Sequence, residues 1–155
     1  MSELKFVYVT YIESTPEKVF QALTDPAFTK RYWVRTEIDS DWKVGLPVYK
    51  CGPDGKRIEH GRVLAVDRPH MLSYTFQPRP PYIAHAERAS RVVFEIARQG
   101  DTVKLTVTHD DFPADSIVFP MIANGWPVIL SAMKTRLEAD RELVRGELPN
   151  RCKTD

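Results

Sequence analysis

Residues 90–109, SRVVFEIARQGDTVKLTVTH, contain the pattern that decides the fold. Apolar side chains alternate with polar ones on both sides of Gly100, as around Phe94 before it and Leu105 after it. Alternation with a period of two is typical of strands with one buried face, and a Gly-containing turn between two such runs indicates a hairpin. The predicted strands are Ser90–Arg98 and Thr102–His109.

Upstream of this hairpin the chain is predicted to form further strands, separated by turns that contain glycine and proline. Their β-branched and aromatic residues place them at Phe6–Ile12, Thr36–Asp39, Pro47–Cys51, Ile58–Asp67 and Met71–Gln77. Two short helices follow the first strand. The first starts at Thr15-Pro16-Glu17, because Thr caps free backbone donors and Pro fits a first turn, and the second covers about Ala27–Trp33.

Downstream of the hairpin the apolar residues recur at steps of three and four, which indicates one long amphipathic helix. They are Ile122, Trp126, Ile129, Leu130, Met133 and Leu137. Pro127 is compatible with two helix starts: one near Asp115, with a kink at the proline, and one near Trp126, with the proline in the first turn.

This order of elements predicts the α+β class. About seven mostly antiparallel strands need a cover for their apolar face, and only the C-terminal helix is long enough, so the sheet is expected to curve around it. The 155 residues are expected to form a single domain, 1–155, with a core from about 6 to 144.

The charge balance disfavours nucleic acid as a partner. Lys and Arg number 22 and Asp and Glu 21, which leaves a net charge of +1 and no excess field toward phosphate. No membrane partner is expected either, because the most apolar stretch, 117–130, is interrupted by prolines and is shorter than the roughly 18 residues that span a bilayer. Cys51 and Cys152 are isolated, which indicates free thiols and a cytoplasmic location.

No cofactor and no metal are expected. The sequence lacks the GxSxG, HExxH, GxGxxG and P-loop motifs, so the usual hydrolase, zinc-protease, dinucleotide and nucleoside-triphosphatase signatures are missing. His85 and Glu87 lie close together but lack the further ligands that a metal site requires.

Several segments together resemble a known family. They are TPEKVFQALTDP (15–26), GRVLAVDRP (61–69), LSYT (72–75), VKLTVTH (103–109) and GWPVIL (125–130). In this order they are similar to the activator-of-heat-shock-protein-ATPase homologues of the START-like, or SRPBCC, superfamily, in the single-domain bacterial form, and the resemblance spans Phe6 to Leu143. It implies a helix-grip fold, in which the sheet wraps the long helix and often leaves an elongated cavity for an apolar ligand.

The predicted ligand site lies between the sheet and the long helix. Aromatic residues and a pliable Met suit an irregular apolar ligand, although the same side chains would also fill a solid core. The predicted ligand-binding residues are Trp33, Tyr49, Tyr74, Phe76, Phe94, Leu105, Val107, His109, Trp126, Leu130 and Met133.

Two further features are candidates for function. His109 ends the last strand at the expected cavity mouth and is a weak candidate for acid–base catalysis. The irregular segment from Gln77 to Ala89 carries Tyr82 and Ile83, which we expect to form a lid or a contact with a second subunit, as in a homodimer.

The favoured hypothesis is non-catalytic binding of a small hydrophobic molecule, a lipid or an aromatic metabolite. The first alternative is a co-chaperone-type module that contacts a chaperone through an exposed apolar patch near Trp42 or Tyr82. The second is a cyclase- or hydrolase-like enzyme that uses the same cavity.

Overall fold

The computed structural model describes residues 4–33, 36–52 and 54–144. The elements in chain order are β1 (Phe6–Ile12), α1 (Pro16–Thr24), α2 (Pro26–Tyr32), β2 (Glu37–Ser40), β3 (Pro47–Cys51), β4 (Arg57–Asp67), β5 (Met71–Phe76), β6 (Ser90–Gln99), β7 (Thr102–Asp110) and α3 (Val118–Val144). The predicted strands are confirmed, with boundaries that shift by a residue at most. Cys152 lies outside the described residues.

The seven strands form one curved open sheet in the order β1-β7-β6-β5-β4-β3-β2. Every neighbouring pair is antiparallel. Five hairpins connect β2 through β7, and β1 closes the row by pairing with β7. The predicted α+β class is confirmed as a helix-grip fold, in which α3 covers the inner face of the sheet with the buried side chains of Trp126, Leu130 and Met133.

The two short helices begin where their caps place them. The Thr15 hydroxyl accepts from the Lys18 N–H at 3.2 Å, and the Asp25 carboxylate accepts from the Ala27 N–H at 3.0 Å. A proline occupies the first turn of each helix. These contacts satisfy backbone N–H groups that have no partner within the helix at its start. Trp33 follows directly at the end of α2.

The long helix α3 begins at Val118, close to the earlier of the two expected starts, and Pro127 lies inside it. The Ser116 hydroxyl accepts from the Val118 and Phe119 N–H groups at 3.1 and 3.0 Å. The Glu87 carboxylate accepts from the Ile117 N–H at 2.9 Å. The segment before β6 thus fixes the start of the helix.

Strand β4 contains a bulge that shapes the inner face. Tyr49 of β3 pairs with Glu59 and Val48 pairs with Gly61, so His60 is the extra residue. A Cβ atom at Gly61 would overlap the carbonyl oxygen of Thr75. Only glycine permits this approach of β4 to β5. His60 is buried there, at 2% exposure.

No helix among the described residues combines the length and the apolar character needed to cross a bilayer.

Candidate functional site

A partly open pocket of about 150 Å³ lies between the first half of α3 and the inner face of the sheet. Its lining residues come from the end of α2, from β3, from β5 and from α3: Trp33, Lys50, Phe76, Met121, Ile122, Gly125, Trp126 and Ile129. Trp33, Phe76 and Trp126 belong to the predicted set. Lys50 and the other four residues from α3 were not predicted from the sequence.

The aromatic side of the pocket is built by three rings. The Trp33 and Trp126 ring centroids are 5.2 Å apart in an edge-to-face arrangement, and Phe76 lies 6.3 Å from Trp126. Such contacts between large rings fix their orientation. The pocket therefore has a preformed aromatic wall.

Lys50 brings a charge into these apolar surroundings. It pairs with Ile38 of β2 and Ile58 of β4 in register, so it lies in an otherwise apolar row across the sheet. Burial lowers the pKa of its ammonium group. Its Nζ atom lies 4.5 Å from the centroid of the Tyr82 ring. No carboxylate of the described residues forms an ion pair with it.

The opposite face of the same strands carries paired charges. Arg57 lies over the ring of Tyr49 at 3.7 Å and reaches the Asp39 carboxylate at 3.9 Å. Arg62 contacts Glu59 at 3.2 Å. Neighbouring strand residues point to opposite faces, so Tyr49 lies on the other side of the sheet from Lys50 and does not line the pocket.

His60 lies behind Phe76, with ring centroids 5.0 Å apart. Neither ring nitrogen has a hydrogen-bond partner among the described residues. Burial, and to a lesser extent the positive charge of Lys50, lowers the pKa of His60 to about 3. The imidazole is therefore neutral at physiological pH.

His109 is fully buried in a complete hydrogen-bond chain. The Trp126 indole N–H donates to Nδ1 at 3.0 Å, and Nε2 lies 2.7 Å from the Ser90 hydroxyl. Because an indole only donates, Nδ1 is the acceptor and Nε2 carries the proton that goes to Ser90. The Ser90 hydroxyl in turn donates to the Phe76 carbonyl at 3.2 Å.

Burial lowers the pKa of His109 to about 3, although the charge of Asp110 acts in the opposite direction. Asp110 points to the other face of the sheet, where its carboxylate accepts two hydrogen bonds from the Arg91 guanidinium, at 2.9 and 2.8 Å. His109 therefore has no free nitrogen for proton transfer to a ligand, and it does not line the pocket. Its bonds position Trp126 instead.

The remaining predicted residues fill the interior beside the pocket. Their inward orientation is confirmed by exposures of 0 or 1%: Tyr74, Phe94, Leu105, Val107, Leu130 and Met133. Phe94 packs edge-to-face on Trp126 at 5.8 Å and lies 5.9 Å from Tyr74. These side chains meet one another and do not line the pocket.

The predicted lid residues lie at different depths. Tyr82 is 37% exposed, and its ring covers the ammonium group of Lys50. Its hydroxyl lies so close to Gly52 that a Cβ atom at this glycine would be 2.5 Å from it. Ile83 is partly buried against the core. Trp42 itself is only 7% exposed, and its indole N–H donates to the Thr24 carbonyl at 2.9 Å. The neighbouring Val44 and Leu46 are 66% and 36% exposed, so an exposed apolar patch near Trp42 stays a prediction.

The described part of the chain has no group of three or more His, Cys, Asp or Glu side chains arranged to hold a metal ion.

Solved structures with this fold come from several organisms. A structural-genomics protein from Mesorhizobium loti is 23% identical, with a TM-score of 0.69, and the match covers 88% of this chain and 97% of that one. The Aha1 dimer from Colwellia psychrerythraea is 19% identical, with a TM-score of 0.68 and coverages of 86% and 96%. An HSP90 activator from Plasmodium falciparum is 22% identical, with a TM-score of 0.68 and coverages of 86% and 96%. At these identities the likeness shows the fold alone.

No curated protein matches the sequence. The model of one protein family, described as activator of Hsp90 ATPase homolog 1-like protein, matches residues 13–138. That match includes both short helices, β2 to β7 and most of α3, and it agrees with the resemblance noted in the sequence. The chain therefore belongs to the family of activator of Hsp90 ATPase homolog 1-like proteins.

Proposed function

We propose that this protein binds a small, largely apolar molecule between α3 and the sheet and does not transform it. The observation that carries the proposal is the pocket of about 150 Å³ walled by Trp33, Phe76 and Trp126. Ligand sites are typically concave and mostly apolar with few polar groups, and this pocket has that composition. The alternative of an enzyme that uses His109 has less support, because both ring nitrogens are already bonded inside the core.

Gly125 offers a direct test. It lies on α3 at the pocket wall, and a Cβ atom placed on it would meet nothing within 4 Å. Gly125→Leu therefore adds a Cβ atom in open space, and the rest of its side chain should occupy the pocket. Gly125→Ala is the matched control, since both variants gain about 1 kcal/mol of helix propensity or slightly less and only the leucine blocks the space.

The measurement is thermal unfolding with a panel of small aromatic and aliphatic compounds. A compound present at 100 times its dissociation constant adds about 2.7 kcal/mol to the free energy of unfolding. We expect such shifts for the natural sequence and for Gly125→Ala, and none for Gly125→Leu. A panel without any shift, or an equal shift in Gly125→Leu, would contradict binding in this pocket.

A second candidate is a co-chaperone role, favoured by the family description and by the HSP90 activator among the structural neighbours. The proposed partner surface is on β1, where Val7, Val9 and Tyr11 are 52%, 44% and 48% exposed in one row. We call these three residues the β1 apolar row. If this role is correct, the protein should change the ATPase rate of an Hsp90, and Val9→Glu should abolish that change while Gly125→Leu keeps it.

The β1 apolar row also suits a homodimer, because β1 is an edge strand of the sheet. One structural neighbour is described as a dimer. Light scattering of the natural sequence and of Val9→Glu would decide it: a dimer through this row should become a monomer, and an unchanged mass would exclude this interface.

We also propose that the whole chain forms one domain and resides in the cytoplasm. Cys51 is a free, half-buried thiol, which fits a reducing compartment. Fractionation of cells would test the location, and limited proteolysis would test whether the chain forms one domain.

A further inference from the structure

The pocket contains a positive charge that its surroundings leave uncompensated. Among the described residues that line it, Lys50 alone is charged, and the lining residues from α3 bring no carboxylate. The nearby imidazole of His60 is neutral and buried. On the other face of the same strands, Asp39 and Glu59 are already paired with arginines. These two carboxylates of the neighbouring strands thus lie on the face away from Lys50.

This arrangement is unfavourable for the protein alone. An ammonium group that is removed from water and has no ion-pair partner costs free energy, and the face of an aromatic ring offsets only part of that cost. Tyr82 provides such a face, 4.5 Å from Nζ. A carboxylate would form a charge-assisted hydrogen bond that is stronger in a partly desolvated pocket than in water.

The size of the pocket limits the rest of the ligand. A volume of about 150 Å³ corresponds to a cavity that takes up one benzene ring in other proteins. The edge-to-face corner of Trp33 and Trp126 offers a ring face and a ring edge to a single aromatic ring or a short alkyl chain. Larger groups would have to leave through the open side.

We infer that the pocket takes a small monocarboxylic acid, whose anion pairs with the Lys50 ammonium while its apolar part lies against Trp33, Phe76 and Trp126. This inference rests on the proposed function, since it names the chemical class of the molecule bound in the same pocket. Lys50 then sets specificity for acids over neutral molecules of the same shape.

The test compares phenylacetate with phenylacetamide, and hexanoate with hexanamide, by isothermal titration calorimetry supported by tryptophan fluorescence. The acid and the amide have nearly the same shape, so the difference between them reports the charge. In the natural sequence we expect each acid to bind about tenfold or more tightly than its amide. The two pairs also separate an aromatic from an aliphatic apolar part.

Three variants locate the effect. Lys50→Met keeps an apolar side chain of similar length, and we expect it to bind the acid and the amide about equally tightly. Lys50→Arg keeps the charge and should retain most of the preference for the acid. Lys43→Met removes an exposed lysine outside the pocket and should leave the preference unchanged. Thermal unfolding checks the fold, and Lys50→Met is expected to be no less stable than the natural sequence because it removes a half-buried charge.

The outcomes separate this inference from the proposed function. If amides and acids bind equally well to the natural sequence and Gly125→Leu abolishes both, the pocket binds apolar molecules and the inference about carboxylates is wrong. If acids bind better but Lys50→Met keeps the preference, another cation recognises them and the inference is also wrong. If neither acids nor amides bind, both the inference and the pocket as a binding site are contradicted.

Discussion

The two buried histidines of the inner face differ in their hydrogen bonds. His109 is 0% exposed, and both nitrogens are bonded, to Trp126 and Ser90. His60 is 2% exposed, and neither nitrogen has a partner among the described residues. We call the surroundings of His109 and Phe94 the closed end, and the surroundings of His60 and Lys50 the open end. Burial alone therefore does not distinguish a fully packed core from the surroundings of a pocket, whereas the hydrogen bonds of the buried polar groups do.

The largest expected effect lies at the closed end. Phe94→Ala removes a ring packed on Trp126 and Tyr74 and should lower the free energy of unfolding by about 3 to 5 kcal/mol. Ile129→Ala, at the pocket wall, enlarges a space that already exists and should cost less than about 2 kcal/mol. Urea denaturation measures both. Equal losses would show that the two ends are packed alike.

The same substitution at the two histidines should have opposite signs. His109→Leu leaves the Trp126 indole N–H without an acceptor and should lower the free energy of unfolding by about 1 to 3 kcal/mol. His60→Leu replaces an unpartnered imidazole beside Phe76 with an apolar side chain and should raise it by about 1 kcal/mol. Urea denaturation again provides the values, and a loss of similar size at both positions would contradict the comparison.

Both histidines should make stability depend on pH in mildly acidic solution. Their folded-state pKa values of about 3 lie below the ordinary value of 6.5, so the unfolded chain binds more protons between these limits. Stability is therefore complete above about pH 6.5 and falls as the pH drops, by up to about 1.4 kcal/mol per pH unit for each histidine.

Denaturation at several pH values between about 5 and 7 separates the two contributions. Over this range, His60→Leu should reduce the slope of the free energy of unfolding against pH by the contribution of one histidine. A slope that is the same in this variant would mean that His60 is already protonated in the folded protein or is solvated there.

The smallest effect concerns Tyr82 and Lys50. The contact between the ring and the ammonium group should contribute about 0.5 to 1 kcal/mol. A double-mutant cycle with Tyr82→Ala and Lys50→Met measures it, and Tyr82→Phe serves as the control that keeps the ring. A coupling free energy near zero would show that the tyrosine is not the partner of the lysine.

The closed end could be predicted from sequence because its causes are local. The alternation in residues 90–109 gave the inward orientation of Phe94 and Leu105, and the apolar spacing in α3 gave that of Leu130. The start of the first helix could be predicted for the same reason, because the Thr15-Pro16-Glu17 signal is local in the sequence. Periodicity records which side of an element is buried.

The open end was harder to predict, because its shape depends on how side chains from elements far apart in the sequence pack together. Trp33, Phe76 and Trp126 were expected at the site, but the boundary between filled core and pocket is set by packing among α2, β5 and α3. Tyr49 was assigned to the ligand site, whereas the pairing of β3 turns it to the other face and turns Lys50 inward. The available signal was the position of Lys50, two residues after the buried Val48 in the same strand.

Pro127 gives the pocket wall a place where it can bend. Proline has no N–H, so the carbonyl of Ala123 one turn earlier lacks its usual intrahelical donor. The missing bond separates the turn that carries Met121, Ile122 and Gly125 from the turns that hold Leu130 in the core. We expect α3 to bend at this turn when a molecule enters the pocket, while Ser116 and Glu87 hold its first turn and Leu130 stays in the core.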